Sequence, residues 1–156
     1  MNTTIIGLDK KKTENLAKDL NGLLANFQVY YQNLRGLHWN IKGKSFFELH
    51  VKFEEFYTDS QEKIDLIAER ILTLGGTPLH TFNDYTELAK VPVGKNVTND
   101  VEAVQLVVTS LSELLKIERI ILDASGEAND EGTNSMMSDF IAEQEKTIWM
   151  LNAWLQ

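Results

Sequence analysis

Residues 37–78 read LHWNIKGKSFFELHVKFEEFYTDSQEKIDLIAERILTLGGTP, and the fold and the chemistry both turn on how this stretch lies on a helix. From Ser45 onward apolar residues recur every three or four positions, the period of an amphipathic helix. Ser45 followed by Glu48 has the form of a capping box, in which hydroxyl and carboxylate each take up a free backbone N–H. Gly75, Gly76 and Pro78 end the pattern, so the spacing predicts a helix from Ser45 to Leu74. At about 100° per residue, Phe46, Leu49, Phe53, Phe56, Ser60, Ile64, Ile67, Ile71 and Leu74 share one face, the expected core face.

His50, Glu54, Asp65 and Glu69 form a second stripe, rotated from Phe53 by roughly 60°, 100°, 120° and 160°. His50 with Glu54, and Asp65 with Glu69, are i,i+4 pairs, and each pair can grip one metal ion. The nearest members of the two pairs are about 16 Å apart along the axis, so no single ion touches both. The chain therefore offers two half-sites. Their placement is symmetric about a point between Asp59 and Ser60: His50 mirrors Glu69, Glu54 mirrors Asp65, and Phe47 mirrors Leu72. Two copies of the helix packed antiparallel about a two-fold axis at that point set each pair against the partner's other pair. Such an isologous contact makes two identical sites. Taken singly, Glu54, Asp65 and Glu69 are ordinary solvent-facing residues; the histidine and the symmetry set them apart. His38 follows the core stripe of the preceding helix, where a lone histidine is normally a packing residue. His80 lies in a connection and reads as a surface residue.

Outward from this stretch, a first helix is predicted from Asp9 to Asn40, with the stripe Leu16, Leu20, Leu23, Phe27, Tyr31, Leu34 and His38. Residues 75–97 form a long connection with room for a short helix over Thr81–Lys90. A third helix follows from Asn99 to Ala124, capped by Asn99 with Glu102, with the stripe Val101, Val104, Val108, Leu111 and Leu115. A polar turn, SGEANDEGTN, precedes a last helix carrying Met137, Phe140, Ile141, Ile148, Leu151 and Leu155. Short first and third connections with a long middle one predict an all-α fold. It is a ferritin-like four-helix bundle with one long crossover containing a short helix, a single domain over residues 1–156.

Composition narrows the chemistry. A chain of 156 residues buries a real core without staples. It has no cysteine, so disulfides and thiolate metal sites are excluded. Any metal must be held by His, Asp or Glu, which suits iron, manganese or zinc. No signal-like segment and no membrane-spanning apolar run occur, and a soluble, cytoplasmic protein is expected. The net charge of -8 argues against nucleic acid as the default partner and suits a protein that collects cations.

LHWNIKGKSFFELHVKFEE and DLIAERILTLGGTP resemble the Dps family, the miniferritins named as DNA-binding proteins from starved cells. The His-Trp pair, the FF-x-LH start and the AER-x-x-x-LGG-x-P end match in order and spacing. The likeness continues through the C-terminal IWMLNAWL. This resemblance implies a hollow dodecamer of two-fold dimers that oxidises Fe(II) with hydrogen peroxide or oxygen and stores Fe(III). It implies iron (Fe2+/Fe3+) held by His38, His50 and Glu54 of one chain with Asp65 and Glu69 of the other. Trp39 would stand beside the site and donate or quench oxidising equivalents. Position 54 departs from the family, which usually has Asp there. The family also has acidic pores at three-fold axes; Asp123, Glu127, Asp130 and Glu131 occupy that region, with Glu127 and Asp130 the candidates to line them.

Three other readings compete. Some family members compact DNA through a Lys-rich N-terminal tail. MNTTIIGL carries no lysine, and Lys10, Lys11 and Lys12 make only a small cluster, so DNA binding is expected to be absent or weak and salt-sensitive. A purely structural bundle explains the apolar stripes but not the paired half-sites. An intra-chain di-iron centre needs Glu-x-x-His on two helices, and the sequence has none.

Overall fold

The computed structural model describes residues 2–156. Five helices follow one another: α1 (Lys10–Asn40), α2 (Phe46–Thr73), α3 (Phe82–Leu88), α4 (Asp100–Glu127) and α5 (Glu131–Leu155). The long α1 packs against α2, α4 and the short α3, and α4 packs against α5. The architecture is the expected four-helix bundle, with α3 inside the crossover between α2 and α4.

The core register of α1 differs by one residue from the expected stripe. Tyr30 and Leu37 are buried, whereas Tyr31 and His38 are only half-buried. Buried positions run Leu16, Leu20, Leu23, Phe27, Tyr30, Leu34 and Leu37, alternating steps of three and four around the helix. Tyr31 and His38 therefore lie on the adjoining face, turned toward α2. On α4, Val101 is exposed and Val107 takes the buried place; Leu114 and Ile121 continue the seam. Along α2 the expected core face holds, with Leu49, Phe53, Ser60, Ile67, Ile71 and Leu74 buried. Lys63 joins them: its ammonium bonds Asp59 at 2.6 Å and Glu143 at 2.7 Å.

Helix ends follow local chemistry. Asp9 caps α1 by accepting from Lys12 N, and Asn99 caps α4 by accepting from Glu102 N. The capping box at Ser45 does not form. Ser45 has ψ near 15°, not an extended conformation, and its hydroxyl makes no cap bond. The turn at Gly43, whose carbonyl accepts from Phe46 N, opens the helix instead. At the other end Gly75 takes φ +88°, which lets Gly75 N and Gly76 N reach back to the last carbonyls of α2. A side chain at Gly76 would strike Ala17 Cβ at 2.9 Å. The polar turn after α4 is shorter than expected, because α4 runs to Glu127. Asn129, at φ 56°, ends it with a left-handed residue, and Asp130 N bonds Ser125 O.

The crossover is held by three asparagines of α1. Asn21 accepts from Leu79 N and donates to Thr77 O. Asn26 accepts from both Lys90 N and Val91 N. Asn33 accepts from Gly94 N and donates to Pro92 O. These bonds satisfy backbone groups of a segment that has little secondary structure of its own.

Between α4 and α5 the bundle interior is polar. Glu118 is fully buried, and Gln144 Nε2 donates to its Oε2 at 2.9 Å. Glu118 Oε1 and Gln144 Oε1 have no partner. Burial pushes the Glu118 carboxyl up from 4.5 to about 8. Desolvation, with the Asp59 and Glu118 charges, also pushes the Tyr30 phenol up.

Candidate metal centre

The end of α1 and the start of α2 bring His38 and His50 face to face. Their rings stack with centroids 3.8 Å apart and planes 11° from parallel. His38 Nδ1 lies 2.6 Å from the His50 carbonyl oxygen, and His50 Nδ1 lies 2.7 Å from the His38 carbonyl oxygen. A carbonyl only accepts, so both Nδ1 atoms must carry the proton and donate. In the neutral ring each Nε2 then keeps its lone pair, the form in which imidazole binds a metal. A backbone carbonyl fixing the tautomer of a ligating histidine is a common outer-shell arrangement of metal sites. Phe46 stacks on the far face of His50, at 4.9 Å.

Glu54, one turn along α2 from His50, is exposed. It accepts from the Tyr57 hydroxyl at 3.5 Å. The Tyr57 ring stands edge-on to His38, at 5.4 Å. Partial desolvation and the Glu54 carboxylate push the Tyr57 phenol above its ordinary value. Trp39 follows His38 but is 57% exposed, and the Arg35 guanidinium covers its ring at 4.9 Å.

Asp65 and Glu69 are exposed near the other end of α2. Among the described residues their carboxylates have no hydrogen-bond or ion-pair partner within the protomer. No three His, Asp or Glu side chains of one protomer come together to hold a metal ion among those residues. The donor set nonetheless fits iron: two imidazoles whose Nδ1 protons are fixed by carbonyls, and three exposed carboxylates, of which Asp65 and Glu69 are unpaired, are ligands that serve both Fe(II) and Fe(III). Exposed apolar residues flank both half-sites: Phe47 (82% exposed), Val51, Leu66 and Leu72.

The acidic segment between α4 and α5 divides. Asp123, Glu127 and Glu131 are exposed. Asp130, expected to face a pore, is 2% exposed and committed elsewhere. It pairs with the Arg70 guanidinium and caps α5 through Thr133 N. Lys12, from the N-terminal basic cluster, donates to the Glu127 carbonyl at 2.8 Å, where the negative end of α4 favours a cation.

Sequence reasoning named His38, His50, Glu54, Asp65 and Glu69 as candidates but missed their immediate neighbours. Tyr57 is three residues after Glu54 and seven after His50, a spacing that puts it on their side of α2, and that was the available signal. The reciprocal histidine bonds had none, because they depend on how closely α1 approaches α2.

The Ferritin-like domain family matches residues 17–156. A crystal structure of a Dps protein from Vibrio cholerae O1 matches this fold with a TM-score of 0.98 and 53% identity, covering 100% of this chain and 98% of that one. The chain belongs to the Dps family. That Vibrio protein is described as a member of a broad superfamily of ferritin-like diiron-carboxylate proteins. The DNA protection during starvation protein of Porphyromonas gingivalis is 43% identical over 150 residues, covering 96% of this chain and 94% of that protein. A Dps protein crystal structure from Bacillus brevis matches with a TM-score of 0.91 at 37% identity, covering 94% and 98%. No helix among the described residues is long and apolar enough to cross a membrane.

Proposed function

We propose that this Dps chain is the protomer of a cytoplasmic miniferritin. It oxidises Fe(II), with hydrogen peroxide or oxygen as the oxidant, at sites shared by two-fold-related subunits. It keeps the Fe(III) inside a hollow dodecameric shell and so limits oxidative damage. The observation that carries this is the reciprocal locking of His38 and His50, which fixes both Nδ1 protons and leaves two Nε2 atoms for use beside Glu54, while Asp65 and Glu69 lie unpaired about three helical turns or more away. The symmetry of the α2 sequence and the exposed apolar residues Phe47 and Leu72 support a two-fold partner that closes the set.

In this reading iron is the substrate. His38, His50 and Glu54 of one subunit receive it with Asp65 and Glu69 of the other. The imidazoles tolerate Fe(II), and the carboxylates stabilise the harder Fe(III) product. Two Fe(II) ions supply both electrons that peroxide needs to become two waters, so no hydroxyl radical is released. The extra methylene of Glu54 lets its carboxylate reach further than the Asp usual in the family, and Tyr57 restrains it.

The test is anaerobic Fe(II) oxidation by added peroxide, comparing the native protein with Asp65→Asn/Glu69→Gln and with His50→Ala. Rapid, soluble oxidation by the native protein alone supports the reading. Co-assembly of the two variants regenerates intact sites from complementary halves, and partial activity should return. Native protein that behaves like buffer would leave a structural bundle of ferritin-like shape, and variants as active as the native protein would put the oxidation at other residues.

A further inference from the structure

Among the described buried residues of α2, Lys63 alone is charged. Its ammonium ends between Asp59, at 2.6 Å, and Glu143 of α5, at 2.7 Å. The Phe140 ring covers another side, 5.3 Å from Nζ. Both carboxylates are more than half exposed, so the ammonium stands between the solvent side and the bundle interior. Beside it lies a cavity of about 30 Å³, lined by Tyr30 of α1, Ser60 and Lys63 of α2, and Gln144 of α5. That is room for one water or one small ion. Gln144 Oε1 has no partner, and neither has Oε1 of Glu118, the fully buried acid to which Gln144 donates. All four long helices thus bring oxygen atoms to one region. Carboxylates, an amide and hydroxyls are the donors that hard and borderline divalent cations take.

Stability alone does not call for a lysine there. An apolar residue of similar volume in place of a buried ion pair is commonly neutral or stabilising. Burial pulls the Lys63 ammonium down, but the bonds and charges of Asp59 and Glu143 outweigh it and hold the group above its ordinary value. The positive charge is therefore permanent at neutral pH. With it in place, no three His, Asp or Glu side chains gather to hold a metal among the described residues.

We propose that Lys63 is a built-in cation that shuts the bundle interior to metal ions, occupying the Asp59 and Glu143 oxygens that would otherwise join Glu118 and Gln144 around a divalent cation. An ion entering the cavity meets a like charge at close range, with little water to screen it. Under the ferroxidase reading, this keeps Fe(II) from meeting oxidant against the core rings Phe27 and Phe56, which also line the cavity. The exclusion itself does not rest on that reading, because it concerns divalent cations in general.

The test counts Co(II) bound per chain by equilibrium dialysis at neutral pH and records its visible absorption, which reports its ligands. Every chain carries His50→Ala with Asp65→Asn/Glu69→Gln, so the α2 half-sites contribute equally little. Lys63→Met, close in volume and uncharged, should take up a further Co(II) that the chain with Lys63 does not. Adding Glu118→Gln should weaken that uptake by about tenfold or more. Lys63→Arg, which keeps the charge, should stay closed. Circular dichroism checks the helices, and Lys63→Gln takes the place of Lys63→Met if the latter does not fold. Folded variants that bind no more Co(II) than the Lys63 chain overturn the proposal. So does a gain that Glu118→Gln leaves untouched, which would put the ion on the freed surface carboxylates alone. Unfolding of both uncharged variants also overturns it, because Lys63 would then be needed for the fold. Native protein that oxidises no iron fails the ferroxidase reading and leaves this count as it is.

Discussion

Glu118→Gln exchanges one buried oxygen for an amide nitrogen and removes a costly buried ionisation. In the folded protein burial raises this carboxyl from 4.5 to about 8, against the smaller opposing pulls of the Gln144 bond and of the Lys63 and Arg119 charges. The unfolded chain gives up the proton near pH 4.5; the folded chain holds it until about pH 8. Across that window the native state binds more protons than the unfolded one, so this group makes stability fall as pH rises. At about 1.4 kcal/mol per pH unit, the loss approaches a ceiling of about 5 kcal/mol at the top of the window. The unpartnered Glu118 Oε1 is the structural source of that loss, since an ionised oxygen there meets no protein donor. Denaturant unfolding followed by circular dichroism, at intervals from about pH 5 to about pH 8, measures it. E118Q and the native chain should unfold at similar denaturant concentrations near pH 5. E118Q should gain steadily above that, by several kcal/mol near pH 8. Parallel pH profiles for the two chains would refute the reasoning, because they would mean that Glu118 is ionised and satisfied in the folded state.

Other expectations follow from the same geometry. Arg70→Ala strands the buried Asp130 carboxylate and should cost about 3–5 kcal/mol, seen as a lowered melting temperature. Asn26→Ala removes the acceptor of two backbone N–H groups and should cost about 1–3 kcal/mol, with faster hydrogen exchange at Lys90 and Val91. A gel shift at low salt should leave DNA unretained. The chain carries a net charge of -8, and Lys12 of the basic cluster is tied to the end of α4. Retention of DNA at stoichiometric protein would contradict that.

Much of this was legible in residues 37–78. The α2 stripe and its stop at Gly75 are consequences of helical period and turn chemistry, which are local, and the candidate half-sites are read from the same period. The bundle with one long crossover was legible from connection lengths. What the sequence hid depends on contact between helices. On α1 a rotation of one residue separates Tyr30 from Tyr31 and Leu37 from His38. Both registers look apolar, so only packing against α2 and α4 decides which residue goes inside. Ser45 carries the right letters for a capping box, but the Gly43 turn sets its backbone outside the capping conformation. Asp130 looked like an exposed pore carboxylate because its partner, Arg70, is 60 positions away in the chain. Glu118 sits in the apolar phase of α4 between Leu114 and Ile121, a visible anomaly whose meaning needed Gln144 of α5 beside it.

The three asparagines on α1 bear on how the crossover's shape is encoded. Every one of those bonds runs from a helix side chain to crossover backbone, so the crossover's own side chains take no part in them. The information that fixes its path is written in α1, at Asn21, Asn26 and Asn33. Within residues 77–94 a few positions are tied to the fold: Tyr85, whose hydroxyl donates to Leu79 O, the buried Val91, and Gly94, where a side chain would strike Leu106; a change to any one asparagine of α1 alters the path from a distance. In this protein the helix serves as the mould, and the exposed positions of the segment cast against it are the ones free to drift in sequence.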